Sequence, residues 1–337
     1  MKRLLVSLAL APFMAPAAMA ETLEDALVAA HKNNPNIEEA RLAVSAAREG
    51  RVQARAAYLP SVGLTGSYGV QEYESDTNGI FGPQTVESEL EPTAATAQLT
   101  QQLFTGWRRQ GQSRLASANL EVAQEDLRSR EQDVLLAAVD AYLAVFRDEQ
   151  IVRLREEHVE GLSRLLAGTR RRLEVGEVSR TDVSQAQTRL AGARAALAQA
   201  RAALDASRAR YIGIIGEPPE HLVPVAALPQ TPHTLNEAIR QAELAHPSLA
   251  AARSAENAAR AQVTIERSAL MPQVSVVGRA EENQDFSASE SRREGTSAVA
   301  QFSLPLFEGG YARSRTRQSR INVERAEART EARRREI

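Results

Sequence analysis

The spacing of apolar residues switches between a helical and a strand period along the chain. From Leu23 to about Ala57 apolar residues follow the helical period, with an interruption at Pro35. Pro60 ends this helix because a proline disfavours helical geometry in the residue before it. After Pro60, and again after Pro272, apolar side chains recur at every second position, which is the period of a strand. The pattern predicts strands near 61–72, 92–103, 273–281 and 297–306, with polar, glycine-containing loops at 71–92 and 281–296.

Each predicted strand has one mostly apolar face and one face of small or polar side chains. In the first strand, Val62, Leu64 and Tyr68 alternate with Ser61 and Thr65. Two interpretations remain open: an antiparallel sheet with one face on a core, or the wall of a membrane β-barrel with its apolar face toward lipid. Four strands cannot close a barrel, and lipid does not tolerate open strand edges. The second interpretation therefore requires strands from several subunits.

Large aromatic side chains gather where the predicted strands end. Tyr58, Phe104 and Trp107, the single tryptophan, flank the first pair of strands, and Phe307 follows the last strand. Tryptophan and tyrosine are enriched at membrane–water interfaces. We therefore predict that these four residues belong to an interfacial aromatic belt.

The helical segments after the first strand pair are long. Residues 107–174 contain no proline, and a helix of that length would extend roughly 100 Å. The returning helix has small and apolar residues spaced alternately four and three apart, which is the seam of a closely packed coiled coil. These residues are Ala186, Leu190, Ala193, Leu197, Ala200, Leu204, Ser207 and Tyr211. The stretch "RRLEVGEVSRTDV" at 171–183 is the turn between the two helices, with its tip near 175–181.

The chain contains an internal repeat. The segment from Thr22 aligns with the segment from Thr234 at an offset of 212, which matches Pro35 with Pro247 and Pro60 with Pro272. Residues 97–114 align with 300–317 at an offset of 203. This predicts a first structural repeat at 21–213, a proline-rich linker at 214–233 and a second repeat at 234–337. We expect the second repeat to be truncated, lacking about 77 residues of its helical hairpin relative to the first.

The remaining sequence features narrow the functional class. Residues 1–20, "MKRLLVSLALAPFMAPAAMA", are predicted to be a signal peptide, since their apolar run is too short for a membrane anchor. The absence of cysteine excludes disulfides, thiol catalysis and a lipidated amino-terminal cysteine. A net charge of −2 gives no indication of nucleic-acid binding. The five histidines lack metal-site spacing and no nucleophile motif is present, so we expect no enzyme activity, cofactor or metal.

The chain resembles the TolC family of outer-membrane channel-tunnels. The resemblance covers essentially all of the mature chain and rests on "TLEDAL", "AYLPSV", "QQLFTGW", "RRLEVGEVSRTDVSQAQTRL" and "GEPPEHL". Among the branches of the family it is most similar to the outer-membrane components of type I secretion. The resemblance implies a mainly α-helical homotrimer in which each subunit adds four strands to a shared 12-stranded transmembrane barrel. Long helical hairpins would form an α-barrel in the periplasm.

The resemblance also implies roles for residues of the turn. The family motif at the hairpin tip matches Arg172, Val175, Gly176, Thr181, Asp182 and Val183. Asp182 and Thr181 would belong to the gate, where the aspartate holds the closed state by polar bonds between helices. The tip residues Arg172, Leu173, Val175, Gly176 and Val178 would dock a periplasmic adaptor, itself joined to an inner-membrane transporter. A simpler interpretation also stands, in which Ser179 or Thr181 caps the returning helix, Asp182 is an acid of its first turn and "RRLEVG" is a solvated turn.

These expectations favour an exit duct of the outer membrane in a tripartite export system, for protein or small-molecule substrates. The duct would contact outer-membrane lipid and would bind no nucleic acid. One alternative is a periplasmic coiled-coil adaptor, which shares the helical pattern but has no reason to carry four alternating strands. Another alternative is a non-functional truncated fragment of such a duct.

Overall fold

The computed structural model describes residues 20–79, 82–225, 231–284 and 292–337. The predicted signal peptide therefore lies outside the described residues, apart from Ala20. The chain divides into two compact units, one of residues up to 41 with 128–233 and one of 42–127 with 234–337. The elements, in chain order, are β1 (Ala20–Glu21), α1 (Leu23–Asn33), α2 (Pro35–Ala56), β2 (Ser61–Tyr68), β3 (Gln71–Gly79), β4 (Gly82–Leu90), β5 (Thr93–Thr105), α3 (Arg108–Glu174), α4 (Arg180–Ile215), β6 (His221–Leu222), α5 (Leu235–Ala245), α6 (Pro247–Ser268), β7 (Gln273–Gln284), β8 (Arg292–Ser303) and α7 (Tyr311–Glu336).

The first unit is helical and contains the predicted coiled-coil seam. Along α4 every residue of the predicted seam is buried or half-buried, while the positions between them are mostly exposed. Near the turn, Leu190 and Ala186 pack with Leu166 of α3. Ion pairs flank the contact, with Arg201 bound to Glu156 at 2.7 Å as one example. Small residues in the seam let the two helices pack closely over a long stretch.

Two buried tyrosines fasten the segment before α1 to the segment after α4. The Tyr142 hydroxyl donates to the Val223 carbonyl at 2.7 Å, and the Tyr211 hydroxyl donates to the Glu21 carboxylate. Burial is the main reason that the pKa of both tyrosines lies above its ordinary value. The same segments pair as the short parallel strands β1 and β6. The predicted proline-rich linker at 214–233 therefore includes the short strand β6.

The second unit contains a four-stranded antiparallel sheet of order β2-β5-β7-β8. All four predicted strands are present. The first is shorter than predicted, since β2 ends at Tyr68, while β7 continues to Gln284 and β8 begins at Arg292. The switch from helix to strand occurs after each of the two prolines, as the change of period indicated.

The predicted loop at 71–92 is wrong. Its residues form the strands β3 and β4, which pair antiparallel from Gln71 with Leu90 to Gly79 with Gly82. This segment contains few apolar residues, so a regular apolar alternation does not mark it. Of the second predicted loop, 281–284 and 292–296 belong to β7 and β8, and the residues between them lie outside the described part of the chain.

The two strand pairs have the same register once residues are matched by the two repeat offsets. Leu64 pairs with Ala97, and their counterparts Val276 and Ala300 also pair. The same holds for every pair of β2 with β5, from Ser61 with Thr100 to Tyr68 with Thr93, because the offsets are constant through both strands. The two strand pairs are therefore equivalent structural units, although only some of their residues are identical.

The start of α3 packs tightly on α6. Gly111 is buried, and a Cβ atom there would lie 2.7 Å from Cγ1 of Ile265 and 3.2 Å from its backbone nitrogen. A glycine in the interior of a helix is otherwise unfavourable. Close helix contact is thus the reason for glycine at this position.

We expect Gly111→Ala to destabilise the protein by about 1–3 kcal/mol, because the added methyl group has no space beside Ile265. Gly161 of the same helix is the matched control, since nothing lies within 4 Å of a Cβ atom there. Gly161→Ala should stabilise by roughly 0.5–1 kcal/mol through helix propensity alone. Thermal unfolding followed by circular dichroism measures both changes, and equal effects of the two substitutions would contradict the tight contact.

Candidate functional site

The apolar face of the four-stranded sheet is exposed, and the outer strand β2 is exposed on both of its faces. Leu64 is 79% exposed and Phe302 is 68% exposed, and Val62 and Tyr68 on the same face are also exposed. Along β5 the apolar positions 95, 97 and 99 are exposed, whereas the polar positions 96, 98 and 100 are half-buried. A sheet that packs on a water-excluded core would bury its apolar positions and expose its polar positions. The described protein therefore presents an apolar sheet surface of the kind that marks a lipid or protein contact.

Charged residues lie at one end of the strands, where this apolar surface ends. Arg292 forms ion pairs with Glu282 at 2.9 Å and with Glu294 at 2.5 Å. All three residues lie on the face that carries Leu64, because each is an even number of positions from an apolar residue of its own strand. The apolar band thus ends where this ion cluster begins.

Aromatic side chains lie at the other end of the strands, as predicted. The rings of Phe104 and Trp107 are 5.8 Å apart and nearly perpendicular. Tyr58 lies beneath the guanidinium of Arg109, which is 4.8 Å from the ring centre. Phe307 is 90% exposed, on the segment between β8 and α7. The structure thus brings Phe104 and Trp107 into contact; an interfacial role for the four aromatics stays a prediction.

Arg109 has a role that its sequence context did not indicate. Its guanidinium donates to the carbonyls of Gln102 and Leu103 at 2.9 and 2.8 Å, where β5 ends. The basic residues after Trp107 would by charge alone indicate only a solvated helix face. An arginine one helical turn from a strand end, next to aromatics, was the available signal. Arg109 thus donates hydrogen bonds to strand carbonyls near the edge of the apolar band.

The hairpin tip has a defined backbone geometry. The N–H of Glu177 donates to the carbonyl of Arg172 and the N–H of Gly176 donates to that of Leu173, at 2.9 and 3.0 Å. These two bonds form a Schellman motif, which places Gly176 in the left-handed region with φ of 78°. Arg172 also pairs with Glu177 at 3.0 Å across the turn.

The apolar residues of the tip differ in exposure. Val175 is 72% exposed, while Leu173 and Val178 are half-buried. Beneath them, Val183 and Val159 pack against the buried Leu166 cluster. The tip is therefore a rigid turn on a packed base that offers one exposed apolar side chain beside charged ones.

Asp182 belongs to the cap of the returning helix. Ser179 is the N-cap residue: its hydroxyl accepts from the Asp182 N–H at 3.2 Å, and the Asp182 carboxylate accepts from the hydroxyl and N–H of Ser179 at 2.7 and 2.8 Å. These bonds form a capping box. Hydrogen bonds from Ser179 hold the pKa of Asp182 below its ordinary value, so the carboxylate is charged. Of the two possible caps, the structure uses Ser179, while Thr181 is an exposed first-turn residue.

Both bonds to the Asp182 side chain end on one oxygen, Oδ2. Within the described residues no hydrogen bond ends on its other oxygen, Oδ1. The cap therefore leaves half of the carboxylate available to a donor from another helix. The capping role and a gating role are compatible.

Other kinds of site have less support in the structure. Over the described ranges, no cluster of three or more histidine, aspartate or glutamate side chains has the geometry of a metal site. None of the helices in the described part of the chain is both long enough and apolar enough to cross a membrane.

A mainly helical chain whose small sheet exposes an apolar face has the fold of outer-membrane channels that join helices to a β-barrel. The structure of the Campylobacter jejuni CmeC outer membrane channel matches it with a TM-score of 0.76 at 15% identity, over 92% of this chain and 67% of that one. Residues 26–217 and 238–337 match the model of the outer membrane efflux protein family. The chain belongs to this family, which includes TolC.

The chain is also similar in sequence to two outer-membrane proteins. The outer membrane efflux protein BepC of Brucella suis is 31% identical over 311 residues, which are 92% of this chain and 66% of that protein. The outer membrane protein TolC of Escherichia coli is 26% identical over 340 residues, 95% of this chain and 66% of that protein. The chain thus spans about two thirds of the length of these two relatives.

Proposed function

We propose that this protein is the outer-membrane exit duct of an export system. The exposed apolar face of the sheet carries the proposal, because a surface of that kind is stable against lipid and unfavourable in water. The ion cluster at one end of the strands and the aromatics at the other delimit the band that the hydrocarbon would contact. The opposite face, whose polar positions along β5 are half-buried, would line a wet interior.

The proposed duct requires more than one copy of the chain. The outer strands β2 and β8 each have one edge that pairs with no other strand of the sheet. Unpaired backbone groups are costly in lipid, so a membrane-embedded sheet has to close. Three copies would supply twelve strands, an even number that closes a barrel wide enough for a channel. The proposed state is therefore a homotrimer.

The long hairpin of α3 and α4 supplies the proposed periplasmic part. The buried seam of small residues suits a wall of closely packed helices. Its tip would contact a periplasmic adaptor through Val175, Leu173, Val178 and the Arg172–Glu177 pair around Gly176. The adaptor would connect the duct to an inner-membrane transporter. The predicted signal peptide would direct the chain to export across the inner membrane.

The family consists of channel-forming proteins, which argues against catalysis. A periplasmic adaptor is the alternative from another class, and the apolar sheet disfavours it because that surface would then contact water. Substrates would be proteins, as in type I secretion, or small molecules, as in drug efflux. Both fit a duct whose inner strand surface is small and polar.

We expect Leu99→Lys to reduce the amount of folded protein in outer membranes. A lysine on the lipid face near the middle of a strand costs about 2–4 kcal/mol. Thr100→Lys is the matched control at the same depth on the opposite face, and it should have little effect. The measurement is the heat-modifiable fraction of purified outer membranes on semi-native gels. Equal loss with both substitutions, or no loss with either, would contradict the assignment of the faces.

We further propose that Asp182 helps to keep the tunnel closed. In a ring of identical subunits its carboxylates would repel each other unless donors from neighbouring helices bind them. Asp182→Ala should shift single-channel recordings in planar bilayers toward the open conductance, by roughly tenfold in open population.

Ser179→Ala is the control for that substitution. It removes the helix cap, at a cost of about 1 kcal/mol, but it leaves the carboxylate in place. A rise in open conductance with Asp182→Ala alone supports the gate. An equal rise with Ser179→Ala would reduce Asp182 to its capping role.

A further inference from the structure

The charged residues of the four-stranded sheet are unevenly distributed over its strands. The strands β2 and β5 contain none, whereas β7 and β8 contain charged residues on both faces. On the apolar face they form the ion cluster around Arg292. On the opposite face they are Arg279, Glu281 and Arg293. This second set contains two arginines and one glutamate, so the face proposed to line the interior has a positive sum of charge.

Arg279 lies level with the apolar band of the sheet. It pairs with Gln98 of β5, and Gln98 pairs in turn with Gly63 of β2. Gly63 is flanked along β2 by Val62 and Leu64, whose exposed side chains belong to the apolar face. In the proposed duct, the guanidinium therefore faces the interior at a level where hydrocarbon covers the outside of the wall.

Uncharged groups hold the guanidinium of Arg279 along the sheet. It donates to the side-chain carbonyl of Gln98 at 3.2 Å, and the Gln98 amide donates to the Thr100 hydroxyl at 3.2 Å. Among the residues that the structure describes, no carboxylate forms an ion pair with Arg279. Its charge is therefore not neutralised by a partner in the chain.

The acid of the same face, Glu281, leans toward a different strand. Glu281 pairs with Gly295 of β8, and a Cβ atom at Gly295 would lie 3.5 Å from both Cγ and Oε1 of Glu281. Arg279 leans instead toward β5, where it binds Gln98. The two side chains thus diverge, although they are only two residues apart on one strand.

The strand pair itself does not require an arginine at this position. The repeat offset of 212 relates Arg279 to Ser67 of β2. Ser67 pairs with Ala94 in the register in which Arg279 pairs with Ser297. A small, uncharged side chain therefore fits the equivalent backbone position of the first repeat. The charge of Arg279 is an addition to the structure that the two repeats share.

We propose that Arg279 makes the electrostatic potential at this level of the duct positive, so that the passage there favours anionic over cationic solutes. This inference rests on the proposed duct and adds a residue that determines its charge preference. In a homotrimer the three arginines would form a ring, and rings of charged side chains set ion selectivity in channels. Hydrocarbon behind the strands has a low dielectric constant, which directs the field of each arginine toward the water inside.

The test measures the potential locally, because exposed glutamates of β3 and β4 would also influence the total current through the duct. The chain has no cysteine, and Ser297 pairs directly with Arg279. Ser297→Cys therefore places a single thiol about 5 Å from the Cβ atom of Arg279. The probes are two methanethiosulfonates, one with a sulfonate group and one with a trimethylammonium group. The measured quantity is the ratio of their initial labelling rates in isolated outer membranes.

We expect Arg279→Gln to lower the ratio of the anionic to the cationic rate roughly fivefold at about 10 mM salt, because a unit charge a few ångströms away acts oppositely on the two probes. Arg279→Lys should keep the ratio, since it keeps the charge. Arg279→Ser should lower it as Arg279→Gln does. Raising the salt to about 1 M shortens the screening length from about 30 Å to about 3 Å, so the differences should largely disappear.

Two controls separate the faces of the sheet. Arg292→Gln removes the same charge from β8 on the apolar face, and it should leave the ratio at position 297 unchanged. Ala298→Cys moves the thiol by one residue to the apolar face, where lipid should protect it from both charged probes.

The outcomes distinguish this inference from the function on which it rests. Faster labelling of Ser297→Cys than of Ala298→Cys, together with an unchanged ratio after Arg279→Gln, would overturn the role of Arg279 and leave the duct intact. An equal fall of the ratio with Arg292→Gln would also overturn that role. Protection of Ser297→Cys from both probes, with labelling of Ala298→Cys, would contradict the wet interior and overturn both proposals.

Discussion

The hydrogen-bonding requirement of the outer strand edges is the constraint on which the rest of this structure depends. Among the described residues, no strand pairs with the outer edges of β2 and β8, which leaves backbone groups unpaired there. In water these groups bind solvent, but in hydrocarbon each unpaired group costs several kcal/mol. A sheet whose apolar face is exposed, as Leu64 and Phe302 show, is therefore suited to lipid only when its edges are paired. In the proposed trimer, the edges of β2 and β8 would be paired between copies of the chain.

The turns that join the strands to the following helices are alike in the two repeats. Each strand pair continues into helices through a turn with two left-handed residues, at 106–107 and at 309–310. Tryptophan occupies one of these positions in the first turn, where a glycine would be easier to accommodate. Its side chain contacts Phe104 at the end of the apolar band. The local strain at Trp107 is consistent with a requirement for an aromatic ring at that level.

The sequence was most informative where one side of an element differs chemically from the other. Alternation after Pro60 and Pro272 predicted the four strands of the sheet, and the spacing along α4 predicted its buried seam. The pair β3 and β4 was missed because its sequence contains few apolar residues, so no regular apolar alternation marks the two strands. At the start of α4 both Ser179 and Thr181 are chemically able to cap, and only the backbone geometry shows that Ser179 does. Arg109 was missed because its role depends on strand carbonyls that sequence alone does not place.

The central claim is that the odd-numbered residues of β5 face lipid and the even-numbered residues face water. Single cysteines introduced at positions 95 to 100 of this cysteine-free chain can carry nitroxide spin labels in outer-membrane vesicles. Power-saturation electron paramagnetic resonance then compares the accessibility of each label to oxygen, which concentrates in lipid, and to a water-soluble nickel chelate. The account predicts an alternation of period two, with oxygen dominant at 95, 97 and 99 and the chelate dominant at 96, 98 and 100. Equal access of the chelate to all six positions, or the opposite alternation, would contradict it.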